Sequence, residues 1–227
     1  MQVAATYPWP HDGPLVPAQT ALIAIDMQRD FCAAGGWVDQ LGESVENTAR
    51  AIAPVSRALQ IAREARLTVI HTREGHRRDL SDLNPVKQWR TRAHGLGIGD
   101  EGTAGRILVR GEEGHGLVDP CAALASELVI DKAGKSALYA TPLDGVLRSQ
   151  GIRNLVICGV TSDCCVQSTF RDAADLGYDA LILTDATAAV EDHHHTGMLA
   201  LLSAHGGRWG ALASLTAFEA AVTRAAA

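Results

Sequence analysis

Asn154-Leu155-Val156-Ile157-Cys158-Gly159-Val160-Thr161-Ser162-Asp163-Cys164-Cys165-Val166-Gln167-Ser168-Thr169 reads as a buried strand, a tight turn and the start of a helix. An unbroken apolar run ends at glycine, small and polar residues follow, and a helical pattern begins with cysteine in its first turn. A helix N-terminus has unsatisfied N–H groups and a partial positive charge. A cysteine placed there is expected to have a pKa below the roughly 8.5 of a free thiol, and so to serve as a nucleophile beside N–H groups able to receive an oxyanion. The plainer reading is two small buried cysteines in a strand–helix turn.

Outward from this stretch, apolar runs recur at 21–26, 67–72, 127–132, 179–185 and 209–213. Between them lie helical patterns at 44–66 (kinked or interrupted by Pro54), 141–150, 165–176, 194–204 and 216–225. Alternation of this kind predicts an α/β fold: a three-layer, doubly wound sheet of about six mostly parallel strands with helices on both faces. Residues 1–20, with Pro8, Pro10, Pro14 and Pro17, predict an extended surface arm able to wrap a neighbouring subunit, and 21–227 a single domain. The segment from 73 to 118 is charged, glycine-rich and without periodicity, which predicts a functional loop, a lid or an interface.

The formal charge of −6, with no basic run, gives no reason to expect nucleic acid or an anionic membrane as a partner. No apolar run reaches the roughly 18 residues of a membrane span, and no signal-peptide layout opens the chain. A cytoplasmic protein with a small-molecule substrate is expected. Five cysteines without zinc-type spacing predict reduced thiols. Seventeen arginines stand against only three lysines, Lys87, Lys132 and Lys135. A site that needs a compact ammonium is one place where lysine would persist. Asp26 and Lys132 close apolar runs, and Cys165 follows one. On neighbouring strands these three would meet in one crevice, where a carboxylate takes the thiol proton and an ammonium stabilises the thiolate.

Three blocks then resemble the isochorismatase-like cysteine hydrolases, in the same order along almost the whole chain. They are Ile23-Ala24-Ile25-Asp26-Met27-Gln28-Arg29-Asp30-Phe31, the Lys132-x-x-x-Ser136-Ala137 segment, and Gly159-Val160-Thr161-Ser162-Asp163-Cys164-Cys165-Val166. The resemblance implies a triad in which Asp26 is the general base and acid, Lys132 the supporting cation and Cys165 the nucleophile. It also implies a cis peptide before Thr161 and an oxyanion hole from the N–H groups of Thr161 and Cys165. No cofactor is implied, and a homo-oligomer, dimer or tetramer, is. Within the family, Tyr7-Pro8-Trp9-Pro10, His71-Thr72-Arg73-Glu74-Gly75-His76-Arg77 and Asp131-Lys132-x-Gly134-Lys135 look most like the biuret and triuret amidohydrolases. That subgroup implies a linear ureide as substrate and Lys135 as a ligand for its carbonyl. His205 stands where those enzymes carry glutamine and is expected at the far end of the substrate, or else as a packing residue. The alternatives are an amidase of ureidoacrylate or nicotinamide type, and a thiol redox sensor built on the Cys164–Cys165 pair. Glu74-Gly75-His76 echoes the Asp-x-His pair of zinc nicotinamidases, but no metal is expected, because His94 is remote and the run His193-His194-His195 suits a solvated helix start.

Overall fold

The computed structural model describes the backbone of residues 1–225 and the side chains through Thr223. Six of the apolar runs become strands: β1 Thr20–Ile25, β2 Thr68–Glu74, β3 Leu128–Lys132, β4 Asn154–Val160, β5 Asp179–Ala188 and β6 Ala211–Ala213. They form one sheet in the order β3-β2-β1-β4-β5-β6, and every pairing is parallel. The predicted fold class is therefore the observed one. The chain starts at the middle of the sheet, winds outward through β2 and β3, and returns to the other side of β1 with β4. The reversal opens a crevice beyond the carboxyl ends of β1 and β4, the place where open α/β sheets hold ligands.

Strand residues alternate between two apolar layers, as the two-residue period of a strand requires. Leu22, Ala24, Val156, Cys158, Leu181 and Leu183 face one way, onto α1 (Ile52–Glu64) through Val55 and Leu59 and onto the last helix, Leu215–Ala225, through Phe218. Ala21, Ile23, Ile25, Leu155, Ile157 and Ile182 face the other way. They meet Leu143 and Leu147 of Leu143–Ser149, Phe170 of Gln167–Asp175, and Met198 and Leu202 of Asp192–Gly207. Gly159 lets β1 and β4 approach at the crevice: it has φ +110°, and a Cβ there would lie 2.1 Å from the Ile25 carbonyl oxygen.

Four expectations are corrected. The helix expected over 44–66 is two pieces, Glu46–Ala49 and Ile52–Glu64, and the break precedes Pro54. Proline there falls in the first turn of α1, where no intrahelical N–H bond is lost. The 73–118 segment is not one long loop. Its first two residues extend β2, and it contains the helix α2, Pro85–Ala93, and a short hairpin, Glu101–Gly102 with Gly105–Arg106. None of α2 is buried, so it has no apolar stripe to read. The helix over 194–204 begins two residues earlier, at Asp192, while its helical backbone ends before Ala204, close to the expected end. The first sixteen residues do not extend outward. Val3 and Trp9 pair as an antiparallel bridge and are fully buried, and the Tyr7 hydroxyl and the His11 amide both donate to Asp179. Proline excludes helix there but not a folded turn, and the apolar Val3, Trp9 and Leu15 are buried when the turn packs on the start of β5.

Candidate active site at the carboxyl edge of the sheet

Asp26 follows β1 in the left-handed region, with φ +48°, a conformation that costs a non-glycine residue about 1–3 kcal/mol and collects at functional sites. Its amide donates to the Thr72 carbonyl on β2 (3.2 Å), and the Thr72 hydroxyl donates to its Oδ1 (2.7 Å). Its other oxygen, Oδ2, lies 2.7 Å from Lys132 Nζ, and neither side chain is exposed at all. β3, which carries Lys132, is not next to β1, because β2 lies between. The lysine therefore reaches across the end of β2, and the residue it crosses is Glu74, its partner in the strand register.

Cys165 lies on a single π-helical turn, Ser162–Val166, between β4 and the helix Gln167–Asp175. Isolated π turns are rare and cluster at functional positions. The Val160–Thr161 peptide is cis, as the resemblance implied. The Thr169 hydroxyl donates to the Cys165 carbonyl (2.8 Å) and accepts from the Ala137 amide (2.9 Å), which ties this turn to the 133–138 loop. Cys165 Sγ is 3.5 Å from Lys132 Nζ and 3.4 Å from Glu74 Oε2.

Asp26, Lys132 and Cys165 thus come together as expected, and Glu74 joins them. Its buried carboxylate faces every lysine of the chain. Lys87 Nζ is 2.6 Å and Lys135 Nζ 3.0 Å from Oε1, and Lys132 Nζ is 3.9 Å from Oε2. Burial alone would raise the Glu74 pKa, but Lys135, Lys132 and Lys87 outweigh it and hold the carboxyl well below the usual range. Lys132 is pushed down by burial and up more strongly by Asp26, Cys165 and Glu74, so it remains an ammonium. Three cations surround two carboxylates, which leaves one excess positive charge while the thiol is neutral.

The expected acidified thiol is not found at Cys165. The hydrogen bond with Cys164 and full burial push its pKa well above the ordinary value, against the pull of Lys132. The same hydrogen bond brings Cys164 down to about 7. In the resting site the Cys165 proton is held, and attack requires a base within reach.

Lys135 is the most exposed of the three lysines, its side chain 42% accessible. It lines a cleft of about 690 Å³ together with Lys87, Arg90, Ser136 and Tyr139. His205 does not join the site. It is exposed, with φ +58° near the end of its helix, six residues before β6 begins. That end lies at the amino-terminal edge of the sheet, where the adjoining Gly207 and Arg208 line a groove with Asp179, the first residue of β5. The three consecutive histidines diverge: His193 faces Glu191, His194 faces Asp163, and His195 Nδ1 lies 3.0 Å from the Ser162 hydroxyl. Among the described residues, one cluster of metal-ligand type, Asp26, Glu74 and Cys165, brings its atoms within 4.8 Å of one another. The ammonium of Lys132, within 3.9 Å of all three, already stands among them as their cation.

A profile of the isochorismatase domain matches residues 20–214, the whole sheet and the site. The chain belongs to the isochorismatase family. Within it, the chain is similar to the ureidoacrylate amidohydrolase RutB of Cronobacter turicensis, with 34% identity over 182 residues that cover 75% of each chain. Its fold is similar to a cysteine hydrolase from Pseudomonas syringae pv. phaseolicola, with a TM-score of 0.79 at 24% identity over 99% of this chain and 98% of that one. It is similar also to an isochorismatase family protein from Desulfovibrio vulgaris, with a TM-score of 0.75 at 27% identity over 91% and 99%. As an isochorismatase-family chain with Cys165 set among Asp26, Glu74 and Lys132, it is a cysteine-dependent amidohydrolase. The finer likeness to biuret and triuret enzymes gives way to one with ureidoacrylate amidohydrolases.

Proposed function

We propose that the protein hydrolyses a C–N bond of a small linear ureide, with a carboxylate-bearing ureido acid of the ureidoacrylate type preferred over biuret or triuret. The observation that carries the chemistry is the buried Lys132 ammonium, 2.7 Å from Asp26 and 3.5 Å from Cys165. In this reading Asp26 takes the proton of Cys165, and Lys132 stabilises the thiolate as it forms. Sulfur attacks the ureide carbonyl, and the N–H groups of Thr161 and Cys165 receive the oxyanion. Collapse breaks the C–N bond, the leaving nitrogen takes the proton from Asp26, and water then cleaves the acyl–sulfur bond and restores the thiol. No cofactor is required.

The cleft supports the choice of substrate. Lys135 offers an ammonium to a carbonyl, and Arg90, exposed and without a hydrogen-bond or ion-pair partner among the described residues, offers a guanidinium to a carboxylate. Neutral biuret and triuret would leave that guanidinium unused. The test is ammonia and carbamate release from ureidoacrylate, other N-carbamoyl acids, biuret, triuret and nicotinamide. The highest kcat/KM is expected for a carboxylate-bearing ureide, and turnover of nicotinamide alone would overturn the reading.

The same reading includes a homo-oligomer in the cytoplasm. Tyr139, which lines the cleft, and Val86 and Trp89 on α2 are more than half exposed, apolar surface of the kind that subunits cover. The five cysteines are unpaired, which suits a reducing compartment. No described helix is long and apolar enough to cross a membrane. Light scattering that gave a 24.0 kDa particle at micromolar concentration would refute the oligomer.

A further inference from the structure

Lys87 was not expected at the site. It lies in the first turn of α2, in a segment with no periodicity, and α2 buries no residue of its own. Yet the Lys87 side chain is only 12% exposed, and its ammonium has three acceptors for its three protons. These are Glu74 Oε1 at 2.6 Å, the Ala133 carbonyl at 2.6 Å and His76 Nε2 at 3.0 Å. The seat is built to fit. His76 accepts at Nε2, so its proton is on Nδ1, where it faces Asp82 Oδ1 at 3.1 Å, and the Asn84 side chain caps the Lys87 amide at 2.8 Å. The imidazole is kept neutral by burial and by the Lys87 charge.

We propose that Lys87 is a positioning residue of the amidohydrolase site: seated on Glu74, His76 and Ala133, its ammonium fixes the one carboxylate that faces both the Cys165 thiol and Lys135. The inference rests on Cys165 being the nucleophile of the proposed reaction. It goes beyond the Asp26, Lys132 and Cys165 set by adding a cation that touches none of the reacting atoms. Glu74 presents one edge to Lys87 and the other to Sγ, so Lys87 acts on sulfur through a single intervening carboxylate. An unneutralised Glu74 would oppose thiolate formation and leave Lys135 without a fixed partner.

The groups that face Sγ are Glu74 from β2, Asp26 from beyond β1, Lys132 from β3, and Cys164 on its own turn, with Lys135 from the following loop beside Glu74. Those facing Glu74 are Lys87, Lys132 and Lys135. The signs follow. Lys87→Met removes a positive charge behind Glu74 and should move the pH midpoint of Cys165 alkylation upward. Glu74→Gln removes the negative charge and should move it downward. Placed in the Glu74→Gln protein, Lys87→Met should give less than half the shift it gives alone, because the carboxylate that transmits it is gone.

The experiment is the rate of iodoacetamide labelling of Cys165 against pH, read on the Cys165 peptide by mass spectrometry so that Cys164 is not confused with it, in the full-length parent, both single variants and the double variant. Turnover of the best ureide should fall at least tenfold in Lys87→Met, chiefly in kcat. A folded Lys87→Met protein whose labelling profile coincides with that of the parent would overturn the proposal, since a lysine that merely anchors α2 would alter melting and leave the profile in place. Should Lys87→Met not fold, Glu74→Gln decides: a profile that stays or moves upward refutes the coupling. Labelling needs no substrate, so a wrong substrate assignment leaves this test intact and shows itself only in the turnover panel.

Discussion

The two edges of the sheet use the same kinds of pair to different ends. At the amino-terminal edge, Asp179 gathers Tyr7 (2.6 Å) and His11 (2.9 Å), but the His11 side chain is 69% exposed and the pair is screened by water. At the carboxyl edge, Asp26 and Lys132 make an ion pair of similar length with no exposure on either side. Removal of the Tyr7 hydroxyl or the His11 ring at the first edge still leaves Asp179 a donor, the other side chain or the His11 amide. Removal of one partner at the second leaves a bare charge in a dry crevice, which is destabilising and is also what makes the field there strong enough for chemistry. Position on the sheet, more than residue type, separates a tether from a reactive centre.

The comparison breaks most visibly at the thiol. Cys165→Ser should reduce kcat by roughly 10³-fold or more and Asp26→Asn by roughly 10²–10⁴-fold, while Cys164→Ser keeps most activity. Steady-state rates on the best ureide would show this, and full activity in Cys165→Ser would end the assignment.

Next in size is Lys132→Met, which strands Asp26. It should abolish turnover and cost about 3–5 kcal/mol in denaturant unfolding. Because the folded pKa of Lys132 is raised, the contribution of the pair is fully present below the ordinary lysine value of 10.5 and is lost only as pH rises beyond it. The parent and the variant should therefore differ most at neutral pH and converge in strong alkali.

Acid should act in the opposite sense. Glu74 and Glu127 have lowered folded pKa values, Glu127 to about 2 under the Arg63 hydrogen bond despite partial burial, so their stabilisation is present above about 4.5 and is lost as pH falls below it. His115 is lowered by burial to about 4, so stability starts to fall earlier, as pH drops from 6.5 toward 4. Asp30, raised by burial to about 6, opposes this over nearly the same range, so the His115 contribution is read by difference: in melting followed from pH 7 to pH 3, His115→Gln should lose less stability than the parent as pH drops from 6.5 toward 4. The smallest effect belongs to the exposed edge: Tyr7→Phe should cost about 1 kcal/mol by calorimetry and leave turnover unchanged.

Much of this was legible. The order of apolar runs, the strand-end Asp26 and Lys132 and the turn at Cys165 are local patterns, and local patterns survive into the fold. Glu74 was missed because β2 extends two residues past its apolar run, and a charge beyond such a run reads as loop. Its signal was present in the scarcity of lysine: Lys87, Lys132 and Lys135 are the only ones in the chain, and all three meet Glu74. The folded arm and α2 were missed for one common reason. Each is held by contacts with residues distant in sequence, such as Tyr7 with Asp179 or Lys87 with Ala133, and periodicity carries no record of those. His205 failed on geometry, since a helix antiparallel to the strands carries its last turn away from the site.

The strand order also sets a schedule for synthesis. β1 lies between β2 and β4, and β4 begins at Asn154, more than a hundred residues after β1. At translation rates of about 5–20 residues per second, β1 waits on the order of ten seconds with one edge unpaired. During that interval the nascent chain presents Ala21, Leu22, Ile23, Ala24 and Ile25, all buried in the finished protein, to whatever else is in the cell. The arm waits longer still, because Asp179 and Leu212, which hold it, follow β4 in the chain. The ribosome thus delivers the centre of the sheet first and its completion late, and a cell that makes this protein quickly should lean on chaperones that shield extended apolar strands.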